Sequence, residues 1–372
     1  MNADTLRFLR TTYKEYYFRN PEGIEFPTKM EEREFGYTPF GGTMVRHLSF
    51  KNPGELIAEI VRQAPSSIYS SNAFYDVPTL PMEEKGWKGA ELIFDIDAND
   101  IPTDCKKKHD VWYCEECGTN ARIPRPARCP KCEGANTVEL HNVCDVCLGA
   151  AKSHLLRLVA FLTEDFGVIR ENIKAYFSGN RGYHLHVYDA RFNRLNSAAR
   201  GDISEYLRGS GTAFSQVFLA SLKRALAQGP GSEEDYGWAR RLSKYVLSAD
   251  KDNSPIKSPK KNITQRVIDE SVKSQAARID PSVTTDIHRV FRMAGTLHGT
   301  SGMLKMRVDP QDSFDPRSDP VVLPDDRASI RVKFSPEFKL KGMKFGPFES
   351  ENVIIPTFAA VYMLARGLGE VA

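Results

Sequence analysis

All seven cysteines of this 372-residue chain lie between Cys105 and Cys147, and six of them form three C-x-x-C pairs, Cys114-Cys117, Cys129-Cys132 and Cys144-Cys147. No other feature restricts the fold as strongly. An odd count packed into one short segment is a poor disulfide framework. Two thiolates separated by two residues chelate one ion well, so the pattern points to a zinc-binding module in a reducing compartment. We read residues 105–147 as that module, inserted into a larger fold.

The segment just before it, GAELIFDIDAND, alternates strictly. As a strand it turns Leu92, Phe94 and Ile96 to one face and Ile93, Asp95 and Asp97 to the other. Acids at the end of an otherwise buried strand need a compensating partner. Two carboxylates at i and i+2 aim the same way, close enough to share a pair of divalent ions, and hard magnesium or manganese ions take oxygen ligands. Nucleotidyl transfer uses such a pair, with a third acid normally supplied from elsewhere. D-x-D is also common by chance, and a solvated strand edge is the plainer alternative.

Helical spacing of Leu6, Leu9, Tyr13 and Tyr16 predicts an amphipathic first helix, REFGYTPFGGTMVRHLSF predicts paired strands, and residues 55–64 predict a helix stopped by Pro65. Residues 150–166 read as a further helix. IKAYFSGNRGYHLHVYD reads as a hairpin, with His184, His186 and Tyr188 on one face of its second strand. Its turn carries Ser178, Arg181 and His184 beside Gly179 and Gly182, groups suited to triphosphate oxygens, although a polar surface hairpin would look similar. Residues 200–275 read as a helical insertion, DPSVTTDIHRVFRMAGTLHGTSGMLKMRVD as loop, helix and returning strand, and 355–368 as a closing helix. Neither a Walker A loop nor a dinucleotide-binding glycine fingerprint occurs, so a nucleotide site here must be built from side chains. The order suggests an α+β core with appended pieces.

With 51 Lys+Arg against 48 Asp+Glu, the net charge is only +3. Nucleic-acid binding would therefore need local basic surfaces. No apolar run approaches the roughly 20 residues of a membrane helix, and the first residues lack a signal peptide's apolar core, so a cytoplasmic location is expected.

Taken in order, D-I-D on a strand, a cysteine-rich segment, a helix, and S-G-N-R-G-Y-H on a hairpin resemble the small catalytic subunit of archaeal and eukaryotic DNA primase. The similarity extends over residues 33–302, through RIDPSVTTD, GTLHGTSG and the REF segment. It implies a mixed-sheet primase catalytic core made of 1–104, 148–199 and 276–372. Asp95, Asp97 and Asp280 would hold magnesium or manganese. Arg46, Ser178, Arg181, His184, Arg292 and His298 would hold the nucleotide. Asp286 is the rival third acid; Asp280 is preferred for its 18-residue spacing to His298, because Asp286 falls in a helical stretch where it would pair or cap.

The resemblance further implies short RNA primers made on a single-stranded DNA template, with DNA synthesis from dNTPs an open alternative to NTPs. It also implies a large primase subunit as heterodimer partner, no membrane, and a cytoplasmic, nucleoid-associated protein. A primase-polymerase-type repair enzyme shares the acids and hairpin, and a zinc-ribbon scaffold without catalysis is the alternative from another class.

The cysteine segment departs from the family, whose archaeal members usually carry one small zinc site after the D-x-D strand. Cys105, His109, Cys144 and Cys147 can be read as that site, split by an insertion. Cys114, Cys117, Cys129 and Cys132 inside it have zinc-ribbon spacing for a second. Seven cysteines and one histidine supply eight ligands for two structural zinc ions, and His141 is an alternative to His109.

Overall fold

A computed structural model of the chain describes residues 1–211, 215, 236–241, 265–310 and 312–372, with backbone alone at 265–268. The alternation of the acidic segment becomes strand Leu92–Asp97. Leu92, Phe94 and Ile96 are at most 1% exposed and enter the main core. On the opposite face Ile93 packs with Val283 and Phe291, while Asp95 and Asp97 stay partly exposed.

This strand is the edge of a four-stranded antiparallel sheet that continues through Gly182–Val187 and Ile173–Phe177 to Met306–Val308. Register sets Asp95 opposite His184 and Asp97 opposite Gly182. Helix Asp145–Glu164 covers the sheet's apolar face with Leu148, Ala151, Leu155, Leu158 and Leu162. Each such large side chain contributes about 1.5–3 kcal/mol on full burial. The polar face meets a second antiparallel sheet, ordered Val290–Arg292, Ser67–Ser71, Phe35–Thr38, Val45–Leu48. Phe291 brings the two together, its ring 5.7 Å from that of His184 and 5.9 Å from that of His186. Helix Ala3–Arg19, started by the Asn2 side chain, buries Leu9, Tyr13 and Tyr17.

The α+β class holds, but every strand pair among the described residues is antiparallel rather than mixed, including pairs far apart in sequence such as Leu92–Asp97 with Gly182–Val187 and Ser67–Ser71 with Val290–Arg292. Three helix boundaries also differ. The long helix starts at Asp145, not 150, which puts Cys147 on its first turn. The expected helix around Asp286 is only Pro281–Thr285, because Val290 and Phe291 extend to pair with Ser71 and Ser70. The closing helix is Thr357–Leu364, since Ile355 and Pro356 end strand Phe348–Pro356 and Gly367, at φ 74°, turns the chain into Gly369–Val371. All eight residues of that helix are buried.

Contrary to the expectation from the sequence, helix Asp145–Glu164 is, by length and composition alone, apolar enough to cross a membrane. One face of it, Leu148, Ala151, Leu155, Leu158 and Leu162, is instead packed in the core with the buried His154, while Val146 and Leu156 stay exposed. Of the helical insertion at 200–275, helix Ser197–Arg208 runs into it, 237–241 are helical, and Gln265–Gln275 closes it. Most of the rest lies outside the described residues. The Trp238 indole donates to the Tyr206 carbonyl at 2.8 Å, and Arg241 sits over the Phe161 ring at 3.8 Å, so this part rests on the far end of the long helix.

Candidate active site and metal centres

The edge position of Leu92–Asp97 leaves its carboxylates facing the cleft between the sheets. Asp97 accepts from Arg181 Nε at 2.9 Å and from the Asn99 amide at 2.8 Å. Asp95 Oδ1 lies 3.3 Å from His184 Nε2. The third acid is tied to the same strand, because the Asp280 amide donates to the Asp95 carbonyl at 3.0 Å. Asp280 Oδ1 also accepts from the Ser282 amide at 2.8 Å and caps helix Pro281–Thr285. Burial, with the charges of Asp97 and Asp280, pushes Asp95 up to about 7, against the opposing Lys305. Asp100, absent from the sequence expectations, is raised by burial and the same two acids. Mutually repelling carboxylates supply the hard oxygen donors that a divalent cation takes, although among the described residues only the two Cys/His groups of 105–147 gather three or more ligand atoms within 4.8 Å of one another. Asp286 is used differently, since it follows the short helix and accepts from the His288 amide at 2.9 Å.

The hairpin turn closes by two bonds, Ser178 N–H to the Gly182 carbonyl at 2.9 Å and Gly182 N–H to Ser178 Oγ at 3.2 Å. Glycine is required at 182, where a Cβ would lie 2.0 Å from the Ile96 carbonyl oxygen. Gly179, at φ 86°, lets the turn approach residues 298–304 on its other side, with the Met303 oxygen 2.9 Å from a hypothetical Cβ. Arg292 reaches in from the second sheet and donates to the Ser178 carbonyl at 3.0 Å, while its buried Nε has no partner. His298 Nδ1 accepts from the Thr300 amide at 3.1 Å, and its carbonyl accepts from the Tyr13 hydroxyl at 2.8 Å.

Burial, Lys305 and Arg292 hold His184 well below the usual imidazole range, so it meets Asp95 as a neutral dipole, with Nδ1 buried and unpaired. Burial with Arg292, Arg366 and Arg181 does the same to His298. Eight of the nine expected catalytic and nucleotide-site residues thus lie on segments bonded or paired to one another around the cleft, namely strand Leu92–Asp97, the hairpin and its turn, the Asp280 cap, strand Val290–Arg292 and the loop after it. Arg46 stands apart on strand Val45–Leu48, bidentate to the buried Glu34 at 2.9 and 3.2 Å, with Lys85 on the same carboxylate. Lys305 and Arg366 were not singled out in the sequence. A lone lysine in GMLKMRV, only 1% exposed, was a readable signal; Arg366 in MLARGLG carried none.

A family model described as DNA primase small subunit matches residues 131–310, which include the hairpin and the Asp280 to His298 segment. Over its whole length the chain is 36% identical to the full DNA primase small subunit PriS of Nitrosopumilus maritimus and 37% identical to that of Cenarchaeum symbiosum. It is 32% identical to the PriS of Thermoplasma acidophilum, over 95% of this chain and 97% of that one. The chain belongs to the DNA primase small subunit family.

For a primase small subunit of this archaeal type, the cysteine segment forms two compact groups. Ligand atoms of Cys105, His109, Cys144 and Cys147 all lie within 4.8 Å of one another, as do those of Cys114, Cys117, Cys129 and Cys132. Sulfur pairs stand 3.4 to 3.7 Å apart, too far for a disulfide and near the edge of about 3.8 Å that tetrahedral zinc–thiolate bonding requires. Both groups could therefore hold zinc. The turn of Cys117 onto Thr119 lowers that thiol to about 6; at Cys105 burial opposes ionisation, but bonds from Thr103 and His109 outweigh it, again to about 6.

The choice between the two histidines follows from Asp110, which is 2% exposed and bonds both. It takes His109 Nδ1 at 2.7 Å, leaving Nε2 3.4 Å from Cys147 Sγ. His141 is spent, with Nδ1 on Asp110 at 3.0 Å and Nε2 on Glu139 at 3.2 Å. Strand Val111–Cys114, between Asn120–Arg122 and Thr137–Leu140, links the two groups.

Proposed function

We propose that this chain is the catalytic subunit of a DNA primase and makes short RNA primers on single-stranded DNA by nucleotidyl transfer. One observation carries the reading: the register of Leu92–Asp97 against Gly182–Val187 pairs Asp95 with His184 and Asp97 with the turn of Arg181, in a chain aligned end to end with primase small subunits. Asp95, Asp97 and Asp280 would hold magnesium or manganese, and such ions, when bound, neutralise charge at the attacking hydroxyl and the leaving pyrophosphate.

The chain's own groups do the rest. Arg181 and Arg292 bind phosphate oxygens, Ser178 and the turn amides position them, and His184 and His298, both neutral, donate hydrogen bonds without adding charge. A primer 3′-hydroxyl, losing its proton, forms the new bond to the α-phosphate, and the bond from that phosphorus to the pyrophosphate oxygen breaks. The core of 1–104, 148–199 and 276–372 carries the reaction, while 105–147 is a module holding two structural zincs and 200–275 an appended insertion. A large primase subunit is the partner, and the location is the cytoplasm, with the nucleoid.

The test is template-dependent incorporation of labelled NTP with magnesium or manganese on unprimed single strands. Wild type is expected to incorporate and the Asp95→Ala, Asp97→Ala double variant to fail; equal incorporation by both sinks the reading. The full-length relatives do not favour a repair polymerase or a scaffold.

A further inference from the structure

The turn after the C-terminal helix places Arg366 beside the hairpin. Its Nη2 donates to Asn180 Oδ1 at 3.0 Å and its Nε to the Thr300 carbonyl at 3.3 Å. One contact is on the turn that carries Arg181, the other on the loop that carries His298. The guanidinium carbon sits over the Tyr362 ring, 3.8 Å from its centre, and Tyr362 belongs to the fully buried helix Thr357–Leu364. The side chain is thus held on three sides, and Nη1 is left over.

Charge around it is one-sided. Arg181, Arg292 and Arg366 all act on His298, and Arg181 and Arg317 act on Arg366. Arg181 pairs with Asp97 and Arg317 with Asp145, but among the described residues neither Arg292 nor Arg366 has a carboxylate within ion-pair distance. Partly buried guanidiniums that lack a carboxylate, as Arg292 and Arg366 do, are costly, and an anion between them lowers the cost. Planar donor forks of this kind match phosphate oxygens.

We propose that Arg366 is a nucleotide-binding residue that takes the terminal phosphates of the incoming nucleoside triphosphate. This rests on the polymerising reading above and extends it. A phosphate chain that starts at the carboxylates and crosses Arg181 and His298 ends at Arg366. The same contact makes the C-terminal helix a wall of the site, since Asn180 and Thr300 are both bonded from it.

The test uses the full chain and three probes in calorimetric titration: NTP, inorganic tripolyphosphate and the matching nucleoside monophosphate. Arg366→Gln is expected to weaken NTP and tripolyphosphate about tenfold, the worth of one charge-assisted contact, and the monophosphate less than about twofold. In steady state KM for NTP rises about tenfold with kcat changed by less than about twofold. Arg366→Lys keeps a cation on Tyr362 without the fork, so about threefold weaker tripolyphosphate binding at an unchanged melting temperature is expected; it decides the matter if Arg366→Gln does not fold.

Unchanged triphosphate affinity in a folded variant, or equal losses for triphosphate and monophosphate, overturns the inference and leaves the polymerising reading intact. If wild type binds no triphosphate, and Asp95→Ala with Asp97→Ala leaves incorporation unchanged, both fall together.

Discussion

Arg181 and Asp97 form an ion pair, Nε to Oδ2 at 2.9 Å, across the junction of the hairpin turn and the end of the carboxylate strand. Both side chains are partly exposed, at 35% and 25%, so the pair itself stabilises the fold by about 1 kcal/mol at most. Its significance is positional. It ties the turn that carries Arg181 to the end of the strand that carries Asp95 and Asp97.

Replacing Arg181 with alanine should therefore separate binding from folding. NTP affinity is expected to fall about tenfold to a hundredfold, the worth of a charge-assisted phosphate contact. The melting temperature should move by no more than a couple of degrees. Titration calorimetry and thermal melts on the same sample check both; a large loss of stability with unchanged affinity would contradict the assignment.

Asp95 makes stability depend on pH in the metal-free chain. Its folded pKa, about 7, lies above the unfolded value near 3.9, so between these limits the folded state binds the extra proton. Stability should fall as pH rises from about 4 to about 7 and then level off, the reverse of a salt-bridged carboxylate. Melts in buffer free of magnesium and manganese from pH 5 to 7.5 should show this slope, and Asp95→Asn should flatten it. Added manganese should raise the melting temperature most at the upper end of the range.

Zinc content should be two per chain. Cys117→Ser is expected to lower it to one and to loosen 111–140, because metal-binding energy in so small a module is folding energy. Asp110→Asn should leave the four-cysteine site filled and weaken the other about tenfold to a hundredfold, since its carboxylate orients His109. Emission spectrometry of both variants after dialysis against a graded chelator gives the two counts; His141→Ala, in contrast, should keep both zincs.

Much of this site was legible in the sequence. Period-two alternation in LIFDID assigned the faces of Leu92–Asp97 because burial of Leu92, Phe94 and Ile96 forces the acids outward. Cysteine spacing marked 105–147 as a metal-binding segment for the same sort of reason, as a C-x-x-C pair can close on an ion locally. What was not legible is nonlocal. His109 and His141 are alike in sequence, and only the buried Asp110, bonded to both, distinguishes a ligand from a spent side chain. Helical spacing around Asp286 misled because Val290 and Phe291 gain more by pairing with Ser71 and Ser70 than by continuing a helix.

The order of motifs, the strand faces and the chemistry of each ligand are local properties, carried by side-chain type and spacing, and the chain alone specified them. Which distant groups meet was decided by tertiary packing. Asp280 is stapled to Asp95 by a backbone hydrogen bond, Arg292 enters from a second sheet, and Arg366 arrives on a buried helix at the far end of the chain. Resemblance to family motifs pointed to Asp280 and Arg292 but not to Arg366, and the contacts themselves cannot be read from spacing, because each depends on how distant segments pack around one cleft.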